Sequence, residues 1–166
     1  LGLAIPGNGR PRPTLTGLLM FGLWPQRYYP ALVITFVRYY GTEAGVKGPR
    51  GERFMDNAKF EGPLPEMIEE AVRRVVSNMR QSTLVEGLFH RILLEYPEEA
   101  VREAVVNAAA HRDYSPHALG SPIRLEMYTD RLEIQSPGGL FGPVNEDNIE
   151  ETQSTRNQLL VQLLED

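Results

Sequence analysis

The chain contains no cysteine. Disulfides, thiolate zinc sites and cysteine nucleophiles are therefore excluded, and a reducing cytoplasm is compatible. Lysine is scarce as well. Only Lys47 and Lys59 occur, and neither follows Gly and precedes Ser or Thr. No P-loop can be built from them, so a motor ATPase of that kind is not encoded. The three histidines, His90, His111 and His117, fall into no zinc-ligand spacing, and no Gly-x-Ser-x-Gly elbow exists to start a serine hydrolase. No apolar run approaches the roughly 18 residues of a membrane span, and no stretch has the pattern of a signal peptide. Positive charge is not in excess either. The formal net charge is −5 with Lys and Arg scattered, which argues against this segment being a non-specific DNA-binding surface.

What is present is an ordinary globular composition, 42% hydrophobic and 23% charged over 166 residues, enough for one domain or slightly more. The Gly/Pro-rich stretch Leu1 to Pro13 reads as a linker from an upstream domain, and residues 14–166 as the domain proper. Thr16 to Phe21 is a short apolar run closed by Gly22 and predicts a buried strand. Trp24 to Pro30 is a turn segment. Ala31 to Tyr40 and Glu52 to Phe60 read as strands, separated by a loop from Gly41 to Gly51 that holds four glycines. Leu64, Ile68, Ala71, Val72, Val75, Val76 and Met79 keep a helical period, and Pro65 suits a first turn. Ser82 to Leu94 has strand character. Pro97, Glu98 and Glu99 open a central helix that ends near His111. Pro122 to Tyr128 and Arg131 to Gln135 form a hairpin around Thr129-Asp130. A short helix is expected after Asn145, and an amphipathic one from Asn157 to Leu164.

The central helix carries the most pointed pattern. Glu103, Asn107 and His111 recur every fourth position among Ala and Val, which sets them along one edge. A carboxylate such as Glu103 can polarise a water for attack on a phosphate. The Asn107 amide oxygen suits Mg²⁺, a hard ion that prefers oxygen. His111 could contact a phosphate or answer the helix dipole. The same spacing also suits a solvated stripe. Ser136-Pro-Gly-Gly-Leu140 follows a strand, and its paired glycines let a ligand approach backbone N–H groups closely, or simply end the strand in a turn. His111-Arg112-Asp113 has the letters of a kinase catalytic loop, but no Gly-rich phosphate loop or Asp-Phe-Gly element accompanies it. Tyr28, Tyr29, Tyr39 and Tyr40, near Arg27 and Arg38, suit core and sheet packing first, and base stacking as an alternative.

Taken in order, Pro13-Thr-Leu-Thr-Gly-Leu-Leu-Met-Phe-Gly22, Trp24-Pro-Gln-Arg27, Phe60-Glu-Gly-Pro-Leu-Pro65, Tyr96 to Asn107, His111-Arg-Asp-Tyr-Ser115 and Ser136-Pro-Gly-Gly-Leu140 resemble a bacterial and archaeal family. Its members are described as transcriptional regulators or as RecG-related, ATP-dependent DNA helicase-like proteins. In them a Schlafen-type, AlbA-like domain precedes a divergent domain related to the GHKL (histidine-kinase-type) ATPases, and a winged helix often follows. The resemblance covers about Pro13 to Asp166. It implies an α+β fold like the Bergerat fold, a mixed or antiparallel sheet covered on one face by two main helices. The Ala-rich sides of the central helix, at Ala100, Ala104 and Ala108, would pack on that sheet.

The resemblance also implies that Glu103 stands where the family's water-activating Glu stands. Asn107 stands at the Mg²⁺-binding Asn, and Gly138 and Gly139 stand at the adenine box. The box's adenine-binding Asp is replaced by Gln135 or Ser136, depending on register, and Asp130 lies too far upstream to substitute. The glycine-rich lid box would fall beyond Asp166.

Three readings follow. One is a nucleotide-binding or nucleotide-sensing module of a DNA-binding transcriptional regulator, with ATP and Mg²⁺ as its cofactors, Glu103 and Asn107 at the site edge, and His111, Gly138 and Gly139 at its rim. A second is a non-catalytic scaffold that keeps the shape for dimerisation or partner binding. The third, an ATP hydrolase driving DNA remodelling, is set back by the replaced Asp. In each reading DNA contacts belong to flanking domains, a second copy of the chain is a candidate partner, and no membrane is involved.

Overall fold

Alternation along the central strands decides which way the sheet faces. Ile34 and Phe36, with Ile123, Leu125 and Met127, are buried, while Thr35, Arg124 and Glu126 between them are not. One side of this sheet therefore carries the core and the other is polar. The computed structural model describes residues 2–7, 9–86, 89–149, 151–152 and 154–165.

The elements run β1 (Ala4–Ile5), β2 (Arg12–Pro13), α1 (Leu15–Phe21), a 3₁₀ turn (Pro25–Arg27), β3 (Ile34–Arg38), β4 (Asp56–Phe60), α2 (Leu64–Asn78), β5 (Gln81–Glu86), β6 (Phe89–Leu94), α3 (Glu98–Ala110), β7 (Ile123–Met127), β8 (Leu132–Gln135) and α4 (Gln158–Glu165). The main sheet has the order β4-β3-β7-β8. β3 pairs with β7 in parallel, and the two outer pairings are antiparallel. The fold is thus α+β with a mixed sheet, and α2 and α3 supply its helical cover.

α2 forms where its apolar period predicts. Pro65 and Glu66 occupy the first turn, and Leu64, Met67, Ile68, Ala71, Val72 and Val75 face the core. Gln26 is buried beside it and fully used. Its Nε2 donates to the carbonyls of Leu32 (2.7 Å) and Gly62 (3.2 Å), and its Oε1 accepts from the Gly62 N–H (2.9 Å). This polar clip fixes the 3₁₀ turn against the entry to α2.

Several segments differ from their sequence reading. The apolar run at Thr16 to Phe21 is helix α1, not a strand. The Thr14 hydroxyl caps it by accepting from the Gly17 N–H at 3.1 Å, and Leu19 and Met20 then turn inward while Phe21 is left exposed. A continuous apolar run has no period to separate the two states, so the cap decides. Ser82 to Leu94 has the extended, strand character expected of it, folded as the hairpin β5–β6 and registered from Gln81↔Leu94 to Glu86↔Phe89; residues 87 and 88 of that reading lie outside the described ones. The stretch after Asn145 makes turns instead of a helix. The Asn148 side chain accepts from the Asn145 N–H (2.7 Å), and the Asn145 side chain accepts from the Asp147 N–H (3.0 Å), so local side-chain-to-backbone turns hold the segment. Within Leu1 to Pro13, β1 and β2 pair into a small ribbon, and the Leu3 carbonyl accepts from both the N–H and the hydroxyl of Thr14. On α3 the buried side is Val101, Val105 and Ala109, not the Ala100–Ala104–Ala108 line, because Ala100 is exposed and the other two are half-buried.

Candidate functional site

α3 presents two contrasting sides. Val101, Val105 and Ala109 are buried, while Glu103, Asn107 and His111 are all exposed. The last residue is the C-cap, where its backbone N–H donates to the Asn107 carbonyl at 2.9 Å. Among the described residues, neither Glu103 nor Asn107 uses its side chain in a hydrogen bond or ion pair. Both the carboxylate and the amide are therefore open to a ligand or to water.

The end of the helix is closed unusually well. An α-helix leaves its last carbonyls without internal partners. Here the Ala108 carbonyl accepts from the Ser136 hydroxyl (2.6 Å), that of Ala109 from the Tyr114 hydroxyl (2.9 Å), and that of Ala110 from the Asn157 amide (2.8 Å). The same Asn157 nitrogen donates to the Arg112 carbonyl at 2.8 Å. Burial at that cap pushes the Tyr114 phenol up, out of the range in which it would ionise.

The segment His111 to Ser115 thus acts first as structure. Arg112 is 1% exposed and gives its Nη2 to the carbonyls of Ala118 (3.1 Å) and Ser121 (2.6 Å). Desolvation pulls its pKa down, opposed by Tyr114 and Asp113. Asp113 accepts from the Ser115 N–H at 2.8 Å, and its own N–H donates to the Pro137 carbonyl at 2.7 Å. That last bond lays the Ser136-Pro137-Gly138-Gly139 turn against the end of α3. Gly138 sits at φ +121°, and a Cβ there would come within 2.5 Å of Arg156 and 2.9 Å of Asp113. Glycine is required at this position on both counts. Gly139, by contrast, is exposed with open space beside its Cα.

At the end of β8, Gln135 and Ser136 face opposite ways. Gln135 pairs with Arg124 on the polar side of the sheet, accepting from its guanidinium at 2.6 Å, so it faces away from α3. Ser136 is the residue that meets the helix, and its hydroxyl is committed to the Ala108 carbonyl. Asp130 lies in the exposed β7–β8 turn, paired with Arg131.

The structure therefore brings the exposed edge and the glycine turn to the same helix. Glu103, Asn107 and His111 run along it, and Gly138 and Gly139 lie against its C-terminal end. Among the described residues, no three of His, Asp or Glu stand close enough together to hold a metal ion by themselves. Among the described residues no helix is long and apolar enough to cross a membrane.

Residues 120–166 match the family described as "Putative ATP-dependent DNA helicase recG C-terminal". The match takes in β7, β8, the glycine turn and α4. No curated protein matches the chain. Among solved structures it is similar to the DIP2311 protein from Corynebacterium diphtheriae, with 23% identity and a TM-score of 0.62 over 81% of this chain. The aligned part is 26% of that protein's length, and at this identity the likeness is one of fold.

Two residues at the site escaped the sequence reading, Arg156 and Asn157. Arg156 spans from the Asp113 carboxylate (Nη1 to Oδ2, 3.3 Å) to the Gly139 carbonyl (Nη2, 3.1 Å), with its guanidinium 4.9 Å from the centre of the Phe141 ring. The only signal in the sequence is a polar Ser-Thr-Arg-Asn run before an apolar helix, which reads as a helix start. Nothing in it shows that these side chains reach back 45 residues.

Proposed function

We propose that this chain is a nucleotide-binding or nucleotide-sensing module of a DNA-binding transcriptional regulator related to the RecG-like family. The observation that carries the reading is the exposed, unengaged Glu103–Asn107–His111 edge running toward a glycine turn anchored on the same helix. Glu103 would polarise water, and Asn107 would supply an oxygen ligand to Mg²⁺. His111, Gly138 and Gly139 would form the rim. One amide oxygen fits Mg²⁺, which keeps most of its ligands from water and nucleotide phosphates. ATP is thus the cofactor class the edge suits. DNA would be contacted by flanking domains in a cytoplasmic protein, and a second copy of the chain is a candidate partner.

A thermal-shift titration of the full-length protein with ATP, ADP and Mg²⁺ tests this, with Asn107→Ala alongside. Ligand at a hundredfold its Kd adds about 2.7 kcal/mol to stability, which is roughly 5–10 °C in Tm for a domain of this size. A shift in the wild type that disappears in Asn107→Ala supports the reading. No shift in either sinks it.

One observation favours the scaffold alternative. Ser136 spends its hydroxyl on the Ala108 carbonyl and Gln135 faces the other side of the sheet, so neither residue at the place of the replaced Asp offers a carboxylate to an adenine. In that case Glu103→Ala and Asn107→Ala would leave regulation in the cell unchanged. The hydrolase reading ranks last for the same reason. Steady ATP turnover abolished by Glu103→Ala would restore it.

A further inference from the structure

We propose that the dipeptide Arg156-Asn157 couples the glycine turn to helix α4, so that a ligand seated at the turn is read out at the C-terminal helix. The proposal rests on the reading above only for what the ligand is. Three elements meet at this dipeptide. Arg156 holds the turn. Its Nη2 donates to the Gly139 carbonyl at 3.1 Å, and its Nη1 is packed so closely on Gly138 that a Cβ there would lie 2.5 Å away. The same Nη1 is buried without a hydrogen bond and faces the Asp113 carboxylate at 3.3 Å as a bare ion pair. Asn157 then holds the end of α3 through the Ala110 and Arg112 carbonyls. Its own carbonyl accepts the Val161 N–H at 3.0 Å, which starts α4.

The Arg156 guanidinium, only 15% exposed, fills the space behind the turn. A ligand that shifts Gly138 toward the helix must displace it. Asn157 is bonded to it directly, so it cannot then keep both its grip on α3 and its place at the start of α4. α4 is the element most easily moved. It has eight residues, and Leu160 is its only fully buried one. A seated and a displaced Arg156 give the two arrangements that coupling between sites requires.

The test is amide hydrogen exchange on the full-length protein without ligand. Gly138→Ala drives a methyl against Arg156, and exchange at the Val161 amide and its α4 neighbours is expected to rise about tenfold, the equivalent of losing one hydrogen-bonded contact. Arg156→Ala alone should raise it similarly; because Gly138→Ala also strains the φ +121° backbone and crowds Asp113, the pair should exceed either alone but fall short of the sum of the two. Arg156→Lys, which keeps the charge but cannot bridge Asp113 and the Gly139 carbonyl, should behave as Arg156→Ala does. Phe36 at the centre of the sheet is the control. A rise at α4 with Phe36 unchanged supports coupling. Equal rises at both sites mean general loosening and overturn it, as does an α4 that responds to neither substitution or responds additively. Nucleotide is then added separately. If none binds, the functional reading falls while the exchange result still decides the coupling.

Discussion

Asn157 donates from one amide nitrogen to two carbonyls, those of Ala110 and Arg112. Removing it strands both in a part-buried place. Asn157→Ala is expected to cost about 1–3 kcal/mol, read from urea denaturation, because an unsatisfied buried acceptor costs more than a hydrogen bond gains. Asp113 gives the residue-scale pH dependence. The Ser115 backbone N–H first, then the Ser115 side chain and Arg156, hold its carboxyl below the usual range. A carboxyl depressed in the folded state contributes stability above its unfolded value, about pH 3.9, and loses it as pH falls through the folded value. Asp113→Asn should therefore lower stability at neutral pH and flatten the stability curve below about pH 4. Asp113→Asn falling as steeply in acid as the wild type would show that this carboxyl carries none of the dependence.

Elements differ in how far the sequence discloses them. α2 and α3 were legible because their apolar residues recur with a helical period and proline and acids mark their first turns. α1 was not, since Leu18, Leu19, Met20 and Phe21 form a solid run, and the Thr14 cap that selects the helix is a three-atom event beside it. Leu19→Ala tests the element directly. Leu19 is 1% exposed in the core, so truncation should cost about 2–5 kcal/mol. The candidate edge on α3 was readable as a spacing, but its exposure was not. That depends on which side of the helix the sheet and α2 take. Because Glu103 is exposed and has no described partner, Glu103→Ala should change stability by no more than about 0.5 kcal/mol. A larger loss would mean that the carboxylate has a structural role, and its assignment to a site would need revision. The Arg156-Asn157 contacts were illegible for another reason: they join residues 17–47 positions apart through an irregular segment, where no period exists to read.

At the scale of the whole molecule, helices lie on one side of a mixed sheet and the other side is a polar surface of Thr35, Arg124, Glu126 and Gln135. The cap on α3 makes the domain's C-terminal third a unit. Ser136, Tyr114 and Asn157 reach one helix end from three separate stretches of chain. These contacts share one terminus, so their losses should not add. The double variant Ser136→Ala/Asn157→Ala is expected to be destabilised by less than the sum of its parts, by on the order of 0.5 kcal/mol or more. Strict additivity in equilibrium unfolding would show that the Ser136 and Asn157 contacts are independent.

The parallel pairing of β3 with β7 has a consequence in time. Thr35 and Ile123, joined by a hydrogen bond, are 88 residues apart in the chain. The intervening stretch holds α2, the β5–β6 hairpin and α3, each of which closes on near neighbours. During synthesis these parts can form early, but β3 keeps a bare edge until Ile123–Met127 has left the ribosome. Closing so long a loop before any reward places the domain among slow folders. In the interval the exposed edge of β3 is where a nascent chain is most open to mispairing with its neighbours.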